Sequence, residues 1–320
     1  MAVIGFHCSH EQIPPSQLLQ DVRLAQQAGF AAAMSSDHLS PWSERQGESG
    51  YAWSWLGAAL ATTQLPFGVV TAPGQRYHPV ITAQAISTLA EMFTERLWVA
   101  LGSGEASNEC VTGQGWPSKE VRDQRLVECV AVIRALLAGE EVDHHGLVTV
   151  QGGKLWTLPS VQPRLVGPAV TPATAARHAA WADGLVTVNQ PHDVLRDVLA
   201  AYRDAGGQGP AALQVHLSWA PTEGEALATA MDQWRSNVYG PPFSWDAATV
   251  EVFDQVTKWA STDQVRDAVL VSADLPQHAA WLQEYVDLGF DELYLHFVGK
   301  KQQPFIEAFA EAVIPQLVRS

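Results

Sequence analysis

The chain is poor in cysteine: three residues in 320, Cys8, Cys110 and Cys129, without framework spacing. That excludes a disulfide-stapled secreted scaffold and fits a reducing compartment, so a cytoplasmic location is expected. No run of about eighteen uninterrupted apolar residues occurs, which excludes a helical membrane span. A surplus of positive charge is also missing. Lys and Arg number 19 against 34 Asp and Glu, a formal charge of −15, which disfavours nucleic acid or an anionic membrane as partner. Any phosphate must therefore be held locally. The start, Met1-Ala2-Val3-Ile4-Gly5, enters an apolar run without a basic region or a small-residue cleavage site. The turn after that run, His7-Cys8-Ser9-His10-Glu11-Gln12, has no glycine, so the fingerprint of a doubly wound dinucleotide fold is lacking. Linkers, low-complexity tracts and repeats are absent as well, and residues 1–320 are expected to form one domain.

What is present is an alternation of short apolar runs with longer helical patterns. Strands are expected at Val3–Phe6, Ala31–Ser35, Gly68–Val70, Leu97–Leu101, Arg164–Gly167, Gly184–Val188, Leu213–Leu217 and Glu292–Phe297. Helices are expected at Pro15–Ala28, Pro79–Met92, Ser118–Leu137, Pro172–Ala182 and His192–Ala205, where apolar residues recur every three or four positions. Gly29 and Gly289 are placed to end helices, and Ser118 to cap one. Several strands are apolar throughout, as when both faces are covered. Eight β/α units imply an α/β fold, a (β/α)₈ TIM barrel with insertions. Ser40–Trp53 is expected to cover the mouth. Glu141–Leu158 reads as a hairpin, with Val148-Thr149-Val150 and Lys154-Leu155-Trp156 flanking a Gly152-Gly153 turn. Pro221–Leu275 reads as a helical cap.

In a barrel, ligands bind at the carboxyl ends of the strands. Two such ends release titratable groups: Ser36-Asp37-His38 with Pro41-Trp42, and Gly102-Ser103-Gly104-Glu105 with Asn108-Glu109. His38 beside Asp37 is a candidate proton acceptor; the competing reading is a histidine packed in a loop. Glu105 offers an acid near the amide of Asn108, or simply a turn. Arg76 would bind an anion or pair with a local carboxylate. Trp42 is the better aromatic site candidate, whereas Trp53 and Trp55 read as core. His7-x-x-His10 and His144-His145 do not form a paired ligand pattern, and no metal is expected.

These motifs together make the chain resemble the bacterial luciferase-like flavin oxidoreductases, in the branch related to coenzyme F420-dependent glucose-6-phosphate dehydrogenases. Tyr51-Ala52-Trp53-Ser54-Trp55-Leu56-Gly57, Arg76-Tyr77-His78-Pro79 and Gly115-Trp116-Pro117 extend the likeness in the same order. The resemblance implies a deazaflavin or isoalloxazine ring at the barrel mouth, in an often dimeric protein. His38 would be the base, Glu105 would serve the pyrimidine side of the ring, and Trp42 would steady charge at the reacting carbon. Asp37, Asn108 and the backbone at Val69-Val70 would cradle the cofactor, with that peptide a candidate for the family's strained cis bond. The departures are informative too. Pro168-Ala169-Val170-Thr171-Pro172 replaces a glycine pair, leaving Thr171 and the next helix to meet a phosphate. Asn189-Gln190-Pro191 stands where sugar-phosphate enzymes carry a lysine, and a further basic position is lost near Asp267-Ala268. A flavin-dependent oxidoreductase or monooxygenase for a small, non-phosphorylated molecule is expected, with FMN as cofactor and F420 as the alternative. A metal-assisted barrel hydrolase and a non-catalytic flavin-binding protein are the competing classes.

Overall fold

Eleven strands are found among the described residues, 2–317 of a computed structural model. They are β1 (Val3–Cys8), β2 (Ala32–Ser36), β3 (Phe67–Thr71), β4 (Leu97–Leu101), β5 (Val142–His145), β6 (Thr149–Gly153), β7 (Arg164–Pro168), β8 (Leu185–Val188), β9 (Ala211–Ser218), β10 (Leu270–Val271) and β11 (Glu292–Phe297). Eight of them pair in parallel in the order β1-β2-β3-β4-β7-β8-β9-β11, and β11 returns to β1. This closed cylinder with helices between strands is a (β/α)₈ barrel, and its strands are those expected from the apolar runs. The two-residue β10 pairs in parallel alongside the carboxyl end of β9, Leu270 beside Leu217 and Val271 beside Ser218.

Alternation along the strands sorts the apolar side chains into two cores. One set packs outward against the helices. The other fills the barrel, where Trp98 and Tyr294 are the bulky members and Trp98 Nε1 donates to the Tyr294 hydroxyl at 3.2 Å. Two glycines make room for them. A Cβ on Gly68 would lie 2.0 Å from the Trp98 ring, and one on Gly5 2.4 Å from Tyr294. Either alanine substitution would overpack the interior at a cost of about 1–3 kcal/mol.

Helix ends follow the expected chemistry. Helices Pro15–Ala28 and Pro79–Met92 begin on proline, where the missing N–H costs nothing. Ser118 accepts from the Val121 N–H at the head of Lys119–Leu137, and Gly29 closes Pro15–Ala28 at φ 104°. The helix expected at Pro172–Ala182 stops at His178.

The hairpin is corrected in detail. β5 and β6 are antiparallel, but the chain turns at Gly146–Val148, and Gly152-Gly153 ends β6 while Lys154–Trp156 forms no strand. The cause is Glu128, whose carboxylate accepts from the Val148 N–H at 3.2 Å, contacts His144 Nε2 at 2.9 Å, and fills the space that a Cβ at Gly146 would need. The Val69-Val70 peptide is also corrected: among the described residues the cis bond is Pro241-Pro242, so Val69-Val70 is trans.

Two insertions meet over the mouth. Residues 221–275 form the expected mostly helical cap, including Glu223–Gln233, Val250–Val256 and Thr262–Ala268. The loop after β2 is stitched to that cap: Ser43 Oγ donates to Asp254 at 2.7 Å, Arg45 pairs with Asp254 at 2.9 Å, and Gln46 donates to the Gln233 carbonyl at 2.9 Å. Among the described residues, no helix is long and apolar enough to cross a membrane.

Candidate active site

A cavity of about 400 Å³ opens at the carboxyl ends of the barrel strands, beneath the cap. Of the residues singled out in the sequence, His38, Glu105, Trp42, Asp37, Val70 and Asn108 line it. Val69 does not; its side chain is fully buried in the outer core. Thr171 does not line it either. Its hydroxyl caps the helix Pro172–His178 by accepting from the Thr174 N–H at 3.3 Å, and Thr174 lines the cavity instead.

His38 sits between two carboxyl groups. Nδ1 lies 2.5 Å from Glu11 Oε1, and Nε2 lies 3.6 Å from Glu105 Oε2. The ring meets Trp42 edge-on at 5.2 Å, and Trp42 in turn packs edge-on against Phe253 of the cap at 5.2 Å. Burial works against an imidazolium here, but the Glu11 charge and contact, joined by Glu105, outweigh it and raise the His38 pKa to about 9. Glu11 shows the reciprocal effect. Burial favours its neutral acid, yet His38 holds it down at about 2, and Ser9 Oγ donates to its second oxygen at 2.9 Å. Burial raises the Glu105 carboxyl above the usual range; His38 opposes this, while Glu11 and Glu109 add to it.

The carboxylate that tunes His38 is therefore Glu11, and the sequence neighbour Asp37 faces elsewhere. Asp37 accepts from Thr71 Oγ1 at 2.8 Å and the Tyr77 hydroxyl at 3.1 Å, with Arg76 3.4 Å away. Arg76 also meets Glu109, its N–H donating to Oε2 at 2.7 Å and its Nε lying 3.6 Å from Oε1. Local carboxylates thus occupy Arg76, as the plainer of its two readings held. Asn108 is mostly spent as well: Oδ1 accepts from the Leu39 and Ser40 N–H groups, and Nδ2 donates to Glu105 at 3.1 Å. Trp53 and Trp55 belong to the core.

Sequence reasoning missed several lining residues: Glu11, Lys119, His7, His216, His296 and Gln214. Lys119 lies in the first turn of the helix Lys119–Leu137, and the sequence offers no signal that sets it apart. Its Nζ donates to Ser103 Oγ at 3.3 Å, pairs with Asp123 and lies 5.3 Å over the Trp245 ring. It is the one Lys or Arg among the described lining residues. The strand period offered a signal for the others: His7 lies two residues after Gly5, and His296 two after Tyr294, on the inward face. The position read as a lost lysine, Asn189, accepts from the His216 N–H at 2.9 Å and ties β8 to β9. Among the described residues, no three His, Cys, Asp or Glu side chains converge as metal ligands.

The arrangement can move a proton between His38 Nε2 and a bound molecule, with a second acid beside it. Comparison with known proteins shows what the whole chain is similar to. Residues 2–292 match the sequence model described as luciferase-like monooxygenase. The chain is 30% identical to an F420-dependent glucose-6-phosphate dehydrogenase of Beutenbergia cavernae, over 99% of this chain and 98% of that one. Its fold superposes on an F420-dependent secondary alcohol dehydrogenase solved with an F420-acetone adduct, with a TM-score of 0.91 and 26% identity over 99% of both chains. The monooxygenase RslO1 from Streptomyces bottropensis shares the fold, with a TM-score of 0.76 at 20% identity over 98% of each chain.

Proposed function

The chain belongs to the luciferase-like monooxygenase family of oxidoreductases, and on that premise we propose that it transfers hydride between coenzyme F420 and a small, uncharged alcohol or ketone. The observation that carries the reading is His38 clamped between Glu11 and Glu105 at the wall of the cavity. Relatives named for F420 support the deazaflavin over FMN, the cofactor favoured by sequence alone. The RslO1 likeness, at 20% identity, speaks for the fold and not for the reaction.

The residues present fit such a cofactor. A cavity of about 400 Å³ is in the range of small-molecule sites. Gly104, at φ 83°, brings bare backbone to its wall, and a Cβ there would meet Glu109 at 2.8 Å. Lys119, Ser103 and Thr174 would hold a phosphate, and Glu105 the pyrimidine edge of a ring. When bound, the cofactor supplies a ring atom that gives or takes hydride. Glu11 occupies Nδ1 of His38, so the transferable proton sits on Nε2, which faces Glu105 and the cavity. With its pKa raised to about 9, His38 is an imidazolium at neutral pH and is poised to protonate a ketone oxygen. As a base toward an alcohol it must first lose that proton, so oxidation strengthens as pH rises toward about 9. A sugar phosphate would find Lys119 as its one lining Lys or Arg, already paired with Asp123.

FMN is the second reading, and it rests on the loop 168–172, which reads Pro168-Ala169-Val170-Thr171-Pro172 in place of the glycine pair that the family resemblance implies. The test is to load the purified protein with F420 and with FMN, identify the retained ligand by mass, and follow its absorbance after adding a secondary alcohol. Retention of F420 and its reduction by the alcohol are expected. Preferential retention of FMN would replace the cofactor, and retention of neither would end the reading.

A further inference from the structure

Beside the His38 cluster, the cavity wall continues in residues that the mechanism above does not use. His7 at the end of β1, His216 on β9 and His296 on β11 all line it, together with Gln214. His7 stacks on His296 at 4.3 Å with 19° between the rings, and His216 lies against Trp234 at 4.7 Å. Both ring nitrogens of His7 are without a protein partner although the residue is 2% exposed.

One backbone carbonyl sets the protons of this wall. Gln12 Nε2 donates to the Val298 carbonyl at 2.5 Å, which fixes the amide orientation, because its oxygen would repel a second oxygen at that distance. Gln12 Oε1 therefore faces His296 Nε2 at 2.9 Å, and that nitrogen must carry a hydrogen. Burial keeps His296 neutral, its pKa well below the usual value, so Nδ1 is a bare acceptor. Nδ1 lies 3.1 Å from Gln214 Nε2, which must donate to it. The same amide nitrogen lies 3.1 Å from His216 Nε2. That nitrogen accepts, so the proton of neutral His216 is on Nδ1, which has no partner among the described residues. Gln214 Oε1 likewise has none. The wall thus presents a donor from His216 and an acceptor from Gln214, with the stacked His7 ring beside them and its nitrogens buried, and with no net charge: burial lowers His7 and His216 to about 3.

We propose that this wall is a neutral shelf that binds a second hydroxyl of the substrate, remote from the reacting carbon, so that the substrate class is an uncharged diol or polyol. A hydroxyl both donates and accepts, which is the pattern the shelf displays. An anionic group would find no charge partner there, and a plain hydrocarbon would leave His216 Nδ1 and Gln214 Oε1 unpaired. The inference rests on the proposed reading in taking this cavity as the substrate site.

Two measurements test it. Long-range proton–nitrogen NMR of the imidazoles in the purified protein should show His216 as the Nδ1–H tautomer and His296 as the Nε2–H tautomer, both neutral down to about pH 5. An Nε2–H His216 overturns the relay. Binding to the F420-loaded protein is then compared for cyclohexanol, the cyclohexanediol isomers and hydroxycyclohexanecarboxylate. At least one diol should bind about tenfold more tightly than the other two classes. That preference should vanish in His216→Leu and persist in His216→Asn, whose amide nitrogen can replace Nδ1–H. Equal binding of cyclohexanol, preference for the carboxylate, survival of the preference in His216→Leu, or no binding by any of them removes the shelf. A diol that binds by the shelf and is never oxidised overturns the oxidoreductase reading alone. Equal oxidation of cyclohexanol and the diols keeps that reading and overturns the shelf.

Discussion

The two walls of this cavity are built from the same side chain in opposite states. On one, a carboxylate 2.5 Å away raises His38 to about 9. On the other, His7 and His216 are lowered to about 3 by burial, with stacked rings and amides for neighbours. Glu11 also favours the charged form of His7, but without contact its pull does not overcome burial. Desolvation acts on all three, and a contacting anion decides which of them keeps a proton. Under the proposed reading, one wall handles the proton and the other holds polar groups without charge.

The contrast can be broken at several points, with effects of decreasing size. His38→Ala should slow ketone reduction by about 10²–10⁴-fold in single-turnover absorbance measurements while cofactor affinity stays near wild type. A loss under tenfold would remove His38 from proton transfer. Glu11→Gln should convert His38 to the neutral type found on the adjoining wall. Its pKa should drop from about 9 into or below the ordinary histidine range, and reduction at pH 8 should slow at least about tenfold as the imidazolium is lost. An unmoved limb in the pH–rate profile would contradict the role given to Glu11. A stability signature follows from the same pair. His38 is raised in the folded state, so its contribution is full below the unfolded value of 6.5 and is lost as pH rises through about 9. Wild-type and Glu11→Gln melting temperatures should therefore converge above that pH on the histidine side of the account. Glu105→Gln, which keeps the shape and removes the titratable proton, should slow hydride transfer about tenfold, or about 1.4 kcal/mol. Ser9→Ala deletes one hydrogen bond to Glu11, so the His38 limb should shift by less than one unit, visible in a careful pH profile.

Much of the scaffold was legible because parallel strands covered on both faces must be apolar throughout. Leu97–Leu101 and Glu292–Phe297 have the expected ends, as do the helices that begin at Pro15 and Pro79. The hairpin turn was misplaced because a Gly-Gly pair is a strong local turn signal, whereas the anchor at Gly146 comes from Glu128 on a preceding helix. Of the site, His38, Glu105 and Trp42 could be named because they leave strand ends in recognisable motifs. Glu11 could not, since its local context is a turn among histidines. It reaches His38 because β1 and β2 pair in register, Cys8 beside Ser35, so that the segments leaving them run side by side.

What the sequence by itself determined is the barrel, its order of strands and helices, and the family to which it belongs, because apolar periodicity and end signals are local properties of the chain. The protonation of its histidines was settled only by the tertiary structure. Whether an imidazole is charged depends on burial and on the nearest anion or amide, and closure of the cylinder brings those partners together from β1, β2, β9 and β11.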